Sequence, residues 1–337
     1  MPMASEDHVK VVGTQTEMLD RVVDDESAWI GETAFPSDGR VVLDTACLDE
    51  LRAAIETLRA NPLPLLALDP DDFALDSCRA AMANAKRILD VGVGFVIVDR
   101  LPLDEMSQEE GEACYWLLGS MIARPVAQKW DGLMKYDVRD TGVKPEAGNG
   151  VRGSITNVGQ AYHTDNAFDM APDYVGLMCL RPSKEGGVSG LVSFQTVHNE
   201  LLKRDPALLA RLYEPFYFDR QREHAEQDPL VSQTPVFRLI DDRLSVRFSD
   251  RLVEQAYEML DKPLDEKGRA ALDAMLDIIN APGMDKEFSF ERGQIQIVNN
   301  RRLGHRRTAF TDWPEPERKR HLVRLWFRNN GRPFYAG

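Results

Sequence analysis

Apolar positions recur at two different periods along this chain, and the change of period divides it. Leu48, Leu51, Ile55 and Leu58 are spaced for one face of a helix. The Pro-broken stretch NPLPLLALDP interrupts that pattern, and residues 74–89 then read as a second helix. GFVIVDR (94–100) reads as a short buried strand. Ser107 and Glu110 stand three apart ahead of an apolar run, the pattern of a capping box, and predict a helix to about residue 122. The N-terminal third is therefore helix-rich. Residues 1–40 are polar and weakly patterned, which predicts a loosely attached extension.

From about residue 128 short strands with turn residues between them take over. KYDVRD, the region around His163, YVGLMCL (174–180), GLVSFQ (190–195), EFSF, QIQIV (294–298) and HLVRLWF (321–327) are the strand candidates. PVFRLI and RLSVRF, joined by Asp241-Asp242, predict a hairpin over 235–248. Two helical patterns, 250–261 and 265–280, break the series. Many short strands with peripheral helices predict a mainly β, α+β fold whose core is a double-sheet jelly-roll barrel. The expected organisation is a polar extension (1–40) and one domain (41–337). That domain has a helical flank (about 41–125), the jelly-roll core and a helical insert (about 250–281).

Composition narrows the function classes. With 337 residues, 43% hydrophobic and 28% charged, the chain has the make-up of a packed globular protein. A net charge of −14 argues against nucleic acid or anionic lipid as a partner. No stretch approaches the roughly 20 apolar residues of a membrane span, and MPMASEDHVK lacks the basic start and apolar core of a signal peptide. Cys47, Cys78, Cys114 and Cys179 form no CxxC pair, so buried thiols in a cytoplasmic protein are expected. The charge is uneven: residues 301–332 carry ten basic side chains against three acidic ones. Such a local positive field suits a small anion inside an acidic protein.

The chemistry gathers around two of the six histidines. His8, His198 and His224 lie in contexts without obvious partners. In Tyr162-His163-Thr164-Asp165, an extended backbone would place His163 and Asp165 on one face. His305 follows the QIQIV strand, 140 residues beyond Asp165. Two histidines and one carboxylate leave coordination positions open, as in non-heme Fe(II) oxygenases, whereas a structural zinc site would close its sphere. Further on, Arg320, Leu322, Arg324 and Trp326 would share one face of the HLVRLWF strand. Repeated arginines on a packed face call for anionic partners, and the guanidinium fork suits carboxylates.

HTDNAFD (163–169), Gly186-Gly187-Val188-Ser189, NNRRLGHRRTAF (299–310) and RHLVRLWFR (320–328) occur together and in this order. Over about residues 90–330 the chain thereby resembles the Fe(II)/2-oxoglutarate-dependent dioxygenases of the taurine dioxygenase and clavaminate synthase-like superfamily. The resemblance implies a double-stranded β-helix (cupin-like) core, with His163, Asp165 and His305 ligating Fe(II). It implies that Arg320 and Ser189 hold the distal carboxylate of 2-oxoglutarate and that Arg324 meets an anionic group of the substrate. Since halogenating relatives replace the carboxylate ligand by a small residue, Asp165 implies hydroxylation or a related oxidation of a C–H bond by O2, with release of succinate and CO2. The loop VRGSITNVGQ leads into the metal strand and offers Arg152, Thr156, Asn157 and Gln160 as substrate contacts, with Gln128 and Lys129 as further candidates. A small organic, anionic substrate is expected, and the oligomeric state stays open, a homo-oligomer included. Two other readings compete on residues alone: a cupin-like metal-dependent hydrolase or isomerase, and a non-catalytic metal-binding sensor.

Overall fold

The computed structural model describes residues 8–33, 39–144 and 153–336. Its core is a seven-stranded sheet facing a four-stranded one. The larger sheet runs Arg40–Val42, Phe95–Asp99, Ile295–Asn299, Tyr174–Arg181, His321–Arg328 and Arg124–Val126, with Lys135–Val138 also paired to His321–Arg328. The smaller sheet runs Asp285–Phe288, Ser189–Ser193, Leu303–Arg307 and Gln160–His163. Leu191 and Leu303 from the smaller sheet join Ile297, Val323 and Leu325 from the larger in one buried cluster, which closes the sandwich. This is the jelly-roll core the strand pattern predicts.

Helices Thr45–Ala60, Asp76–Val91 and Gln108–Ile122 back the larger sheet, as the N-terminal periodicity predicts. The Ser107–Glu110 capping box is formed in both directions. Phe194–Arg204, Pro206–Leu212, Asp250–Met259 and Glu266–Ile279 gather around a second apolar cluster. The hairpin turn falls at Asp241 and Asp242, whose φ of +50° and +59° are those of a tight two-residue hairpin turn. All four cysteines are buried and free. Among the described residues, no helix is long and apolar enough to cross a membrane.

Two expectations need correction. The strand expected over 190–195 is Ser189–Ser193 and turns into a helix at Phe194, because the Ser193 hydroxyl accepts the Thr196 N–H as an N-cap. The N-terminal region, expected to be loosely attached, is anchored at several points within residues 8–33. Val9–Val11 adds a parallel strand to Val231–Pro235, and Lys10 pairs with Asp169. Leu19 enters the second cluster, while Trp29 enters the main core edge-on to Phe95 and donates its indole N–H to Val93 O. Widely spaced anchors of this kind leave no periodicity to read. Trp29→Ala should therefore cost about 3–5 kcal/mol in urea unfolding, where a residue on a loose extension would change stability by less than about 0.5 kcal/mol.

A candidate metal centre beside a buried pair of arginines

His163 ends the strand Gln160–His163, and the chain then turns, so His163 and Asp165 do not lie on one continuous strand. The turn is built by its neighbours. Thr164 exchanges backbone and hydroxyl bonds with Phe248, and Asn166 takes a left-handed φ of +52°. The Asn300 side chain accepts the Asp165 N–H and donates to the carbonyls of Asp165 and Pro172. Asn300 stands just ahead of the strand Leu303–Arg307, which carries His305 opposite His163 in register. One buried amide thus ties the two parts of the cluster together.

The ligand atoms offered by His163, Asp165 and His305 lie within 4.8 Å of one another, and among the described residues theirs is the one such cluster. Asp165 Oδ1 faces Nε2 of both imidazoles, at 3.5 and 3.6 Å. The His163 Nδ1 bonds to Ala161 O, which fixes the ring with Nε2 inward. The other Asp165 oxygen accepts from the Trp326 indole at 2.7 Å and from Arg324 Nη1 at 3.0 Å. Burial would raise the Asp165 carboxyl, but the Arg324 charge and the two imidazoles hold it well below the usual carboxylate range. Burial, with His163 close by, pushes His305 down, which keeps it neutral and able to bind a cation. Two imidazole nitrogens and one carboxylate oxygen, oriented and partly exposed to a cavity, suit a divalent transition metal with open positions.

A narrow cavity of about 50 Å³ runs from this cluster to Ser189, Arg307 and Arg320. Arg320 is buried, and its Nη1 has no partner. Gly187, with φ of +69°, lets it sit there: a Cβ at Gly187 would lie 3.3 Å from Arg320 Nε and 2.8 Å from Ser183 Oγ. The Ser189 hydroxyl, also buried, points to Gln296 at 3.3 Å. Burial pushes the Arg320 guanidinium down to about 10 and, with the Arg320 charge beside it, that of Arg307 down to about 9. Arg307 has two further orphans, Nε and Nη1. Buried cations with unpaired donors are costly unless an anion meets them.

A second, wider cavity of about 400 Å³ opens on the other side of the cluster, walled by Ser154, Thr156, Val158, Gln160, Asp250 and Arg251. Gln160 lines both cavities. Other sequence candidates fall elsewhere. The Asn157 side chain is exposed and only its carbonyl is used, by Phe310 N–H. Arg152 lies outside the described residues. Gln128 is buried away from ligands, receiving Arg324 Nε and donating to two carbonyls, and Lys129 pairs with Asp131. Arg324 lines both cavities, but its Nε and Nη1 are taken by Gln128 and Asp165, and it packs on Tyr136 and Trp326. Its partners within the protein are therefore Gln128 and the carboxylate of the cluster. Sequence reasoning missed Asn300, Trp326 and Arg307. Arg307 left a signal, standing two residues beyond His305, and so did Trp326, placed on one strand face with Arg324 but without a role; Asn300 left none.

Residues 59–326 match the family described as taurine catabolism dioxygenase TauD, TfdA family. FR-33289 synthase of Streptomyces rubellomurinus (strain ATCC 31215) is 27% identical over 323 residues, 94% of each chain. The fold is shared with asparagine oxygenase, solved in complex with Fe(II), 2S,3S-3-hydroxyasparagine and succinate. That structure aligns with a TM-score of 0.63 at 22% identity, over 86% of this chain and 94% of the other. It is shared equally with the non-heme iron oxygenase OrfP, solved with Fe, succinate and (3S)-hydroxy-L-Arg, at a TM-score of 0.64 and 15% identity over the same shares.

Proposed function

The chain belongs to the taurine catabolism dioxygenase TauD, TfdA family, and from that premise we propose that it hydroxylates an unactivated C–H bond of a small organic anion, using Fe(II), 2-oxoglutarate and O2. The observation that carries this reading is a three-ligand cluster set beside two buried, unpaired arginines: a metal site and an organic-anion site sharing one cavity. His163, Asp165 and His305 hold the iron. Arg320 and Ser189 hold the distal carboxylate of 2-oxoglutarate, which gives the orphaned Arg320 Nη1 its partner. Bound there, iron and 2-oxoglutarate supply the oxidant for the C–H bond, one oxygen atom of O2 going to the substrate and the other to succinate as CO2 leaves.

The protein's own work is placement. Trp326 and Arg324 occupy one oxygen of Asp165 and so present the other to the metal. The substrate enters the 400 Å³ cavity, where Gln160, Thr156 and Ser154 form one wall and Arg251 lies at the N-terminus of helix Asp250–Met259. An anionic group of the substrate meets Arg251 and the remaining Nη2 edge of Arg324. Asp250, whose buried Oδ1 has no partner, accepts from a donor elsewhere on the same molecule. A metal hydrolase or a sensor built on the same three ligands would leave Arg320 and Ser189 without a role.

The test is an anaerobic visible titration of the Fe(II)-loaded protein with 2-oxoglutarate. A saturable charge-transfer band is expected. Arg320→Ala should move its half-saturation upward roughly 10- to 100-fold, the worth of a hydrogen-bonded charge contact. Absence of any band in fully loaded wild-type protein would sink the dioxygenase reading.

A further inference from the structure

Arg307 occupies a position that neither the metal cluster nor the Arg320 pocket accounts for. It lies opposite Ser189 and Gln160 in register, and its guanidinium stands 4.9 Å from the Phe310 ring that Arg320 approaches at 5.0 Å. The two cations thus share one aromatic ring and one narrow cavity, with three N–H-bearing nitrogens unpaired between them. Among the described residues neither forms an ion pair; Asp312 acts on Arg320 and Asp140 on Arg307 only from a distance, and Asp312 Oδ1 accepts the Arg320 backbone N–H. The other edge of Arg307 is fully used. Nη2 shares its two hydrogens among the carbonyls of Gly153, Thr156 and Val158, at 3.2, 2.9 and 2.5 Å. Gly153, Thr156 and Val158 in turn wall the wider cavity.

We infer that Arg307 is a second anchor for the distal carboxylate of 2-oxoglutarate and that, through its three carbonyl bonds, filling the narrow cavity fixes the 153–158 wall of the substrate cavity. This rests on the reading proposed above. The two guanidiniums meet in one cavity as like charges, so Arg307 keeps its contact with the carbonyls against the repulsion of Arg320. A carboxylate between them satisfies the three open nitrogens, cancels the repulsion and holds Arg307 at both ends. Co-substrate then prepares the substrate cavity, and Arg307 is a positioning residue for the substrate although it need not touch it.

Hydrogen exchange on anaerobic Fe(II)-loaded protein reads this without turnover. The amides to follow are Thr156, which bonds Gly153 O, Thr141, which bonds Ile155 O, and Phe310, which bonds Asn157 O. Adding 2-oxoglutarate should slow their exchange about tenfold or more in the wild type. Arg307→Lys keeps the charge but has one nitrogen for two tasks. It should raise the half-saturation of the charge-transfer band roughly 10- to 100-fold and lose the slowing even at saturating 2-oxoglutarate. Arg307→Gln should behave alike if the paired contact matters, and both variants are judged only after their metal content matches wild type. A normal band with unchanged half-saturation in both variants, or wild-type amides indifferent to 2-oxoglutarate, would overturn the inference while leaving the dioxygenase reading intact. No band in wild type would overturn both.

Discussion

His305→Ala protein, purified and reconstituted anaerobically with Fe(II), is expected to fold normally, to retain less than about a tenth of the iron, and to lose turnover by at least roughly 10³-fold, near 4 kcal/mol of transition-state stabilisation. Both halves of that expectation come from the geometry. His305 Nε2 completes the cluster with Asp165 Oδ1 and His163 Nε2, so its loss leaves two ligands where three faced one point. On the other side of the ring, Nδ1 has no partner. Truncation therefore orphans no buried group, and the backbone of Leu303–Arg307 stays in its ladder with Ser189–Ser193. His163→Ala should lose iron equally but frees Ala161 O from its bond to the ring, a slightly larger structural cost. The checks are metal content by mass spectrometry, thermal unfolding and succinate release. Stoichiometric iron with turnover within tenfold of wild type would remove His305 from the site.

The parts of this molecule that were legible in its sequence are those whose cause is local. Ser107 and Glu110 announce a helix start because both partners of the capping box lie within one turn. Asp241-Asp242 announces a hairpin because two left-handed residues suffice to reverse the chain. His163, Asp165 and His305 stand out because few residue types ligate metals. What stayed hidden depends on partners far away in the chain. Trp29 looks like an isolated aromatic in a polar stretch until Phe95 and Val93 are placed beside it. Asn300 is one of two adjacent asparagines, and nothing local distinguishes the one that holds Asp165 from Asn299, which bonds Leu89 O. The alternation that predicts Arg320 and Arg324 on one inner face was sound, since both line the narrow cavity. It could not say that one keeps an unpartnered nitrogen in the cavity and the other meets a carboxylate of the protein itself.

That difference gives Arg324 a large expected effect on stability. Arg324 and Asp165 are both buried, and each is the other's main counter-charge in the metal-free protein. Removing one partner of such a pair typically costs about 3–5 kcal/mol, because the other charge is left in a poor solvent. Arg324→Met fills similar space without the charge. For a protein of this size the metal-free form should melt about 4–7 °C lower. Adding Fe(II) should then recover part of the loss, since a metal cation on Oδ1 supplies the charge the guanidinium gave up, and the recovery should exceed the stabilisation that metal gives the wild type. Trp326→Phe isolates the orienting role. It removes the neutral donor at 2.7 Å and keeps the charge, so stability should change little while metal affinity falls roughly 10- to 100-fold. Were Arg324 primarily a substrate contact, Arg324→Met would leave metal-free melting within a degree or two and raise only the KM for substrate. The resemblance and the geometry are compatible in sequence of occupancy: once a metal shares Asp165, Arg324 is no longer its only counter-charge, and Arg324 lines the cavity where an anionic substrate group would lie.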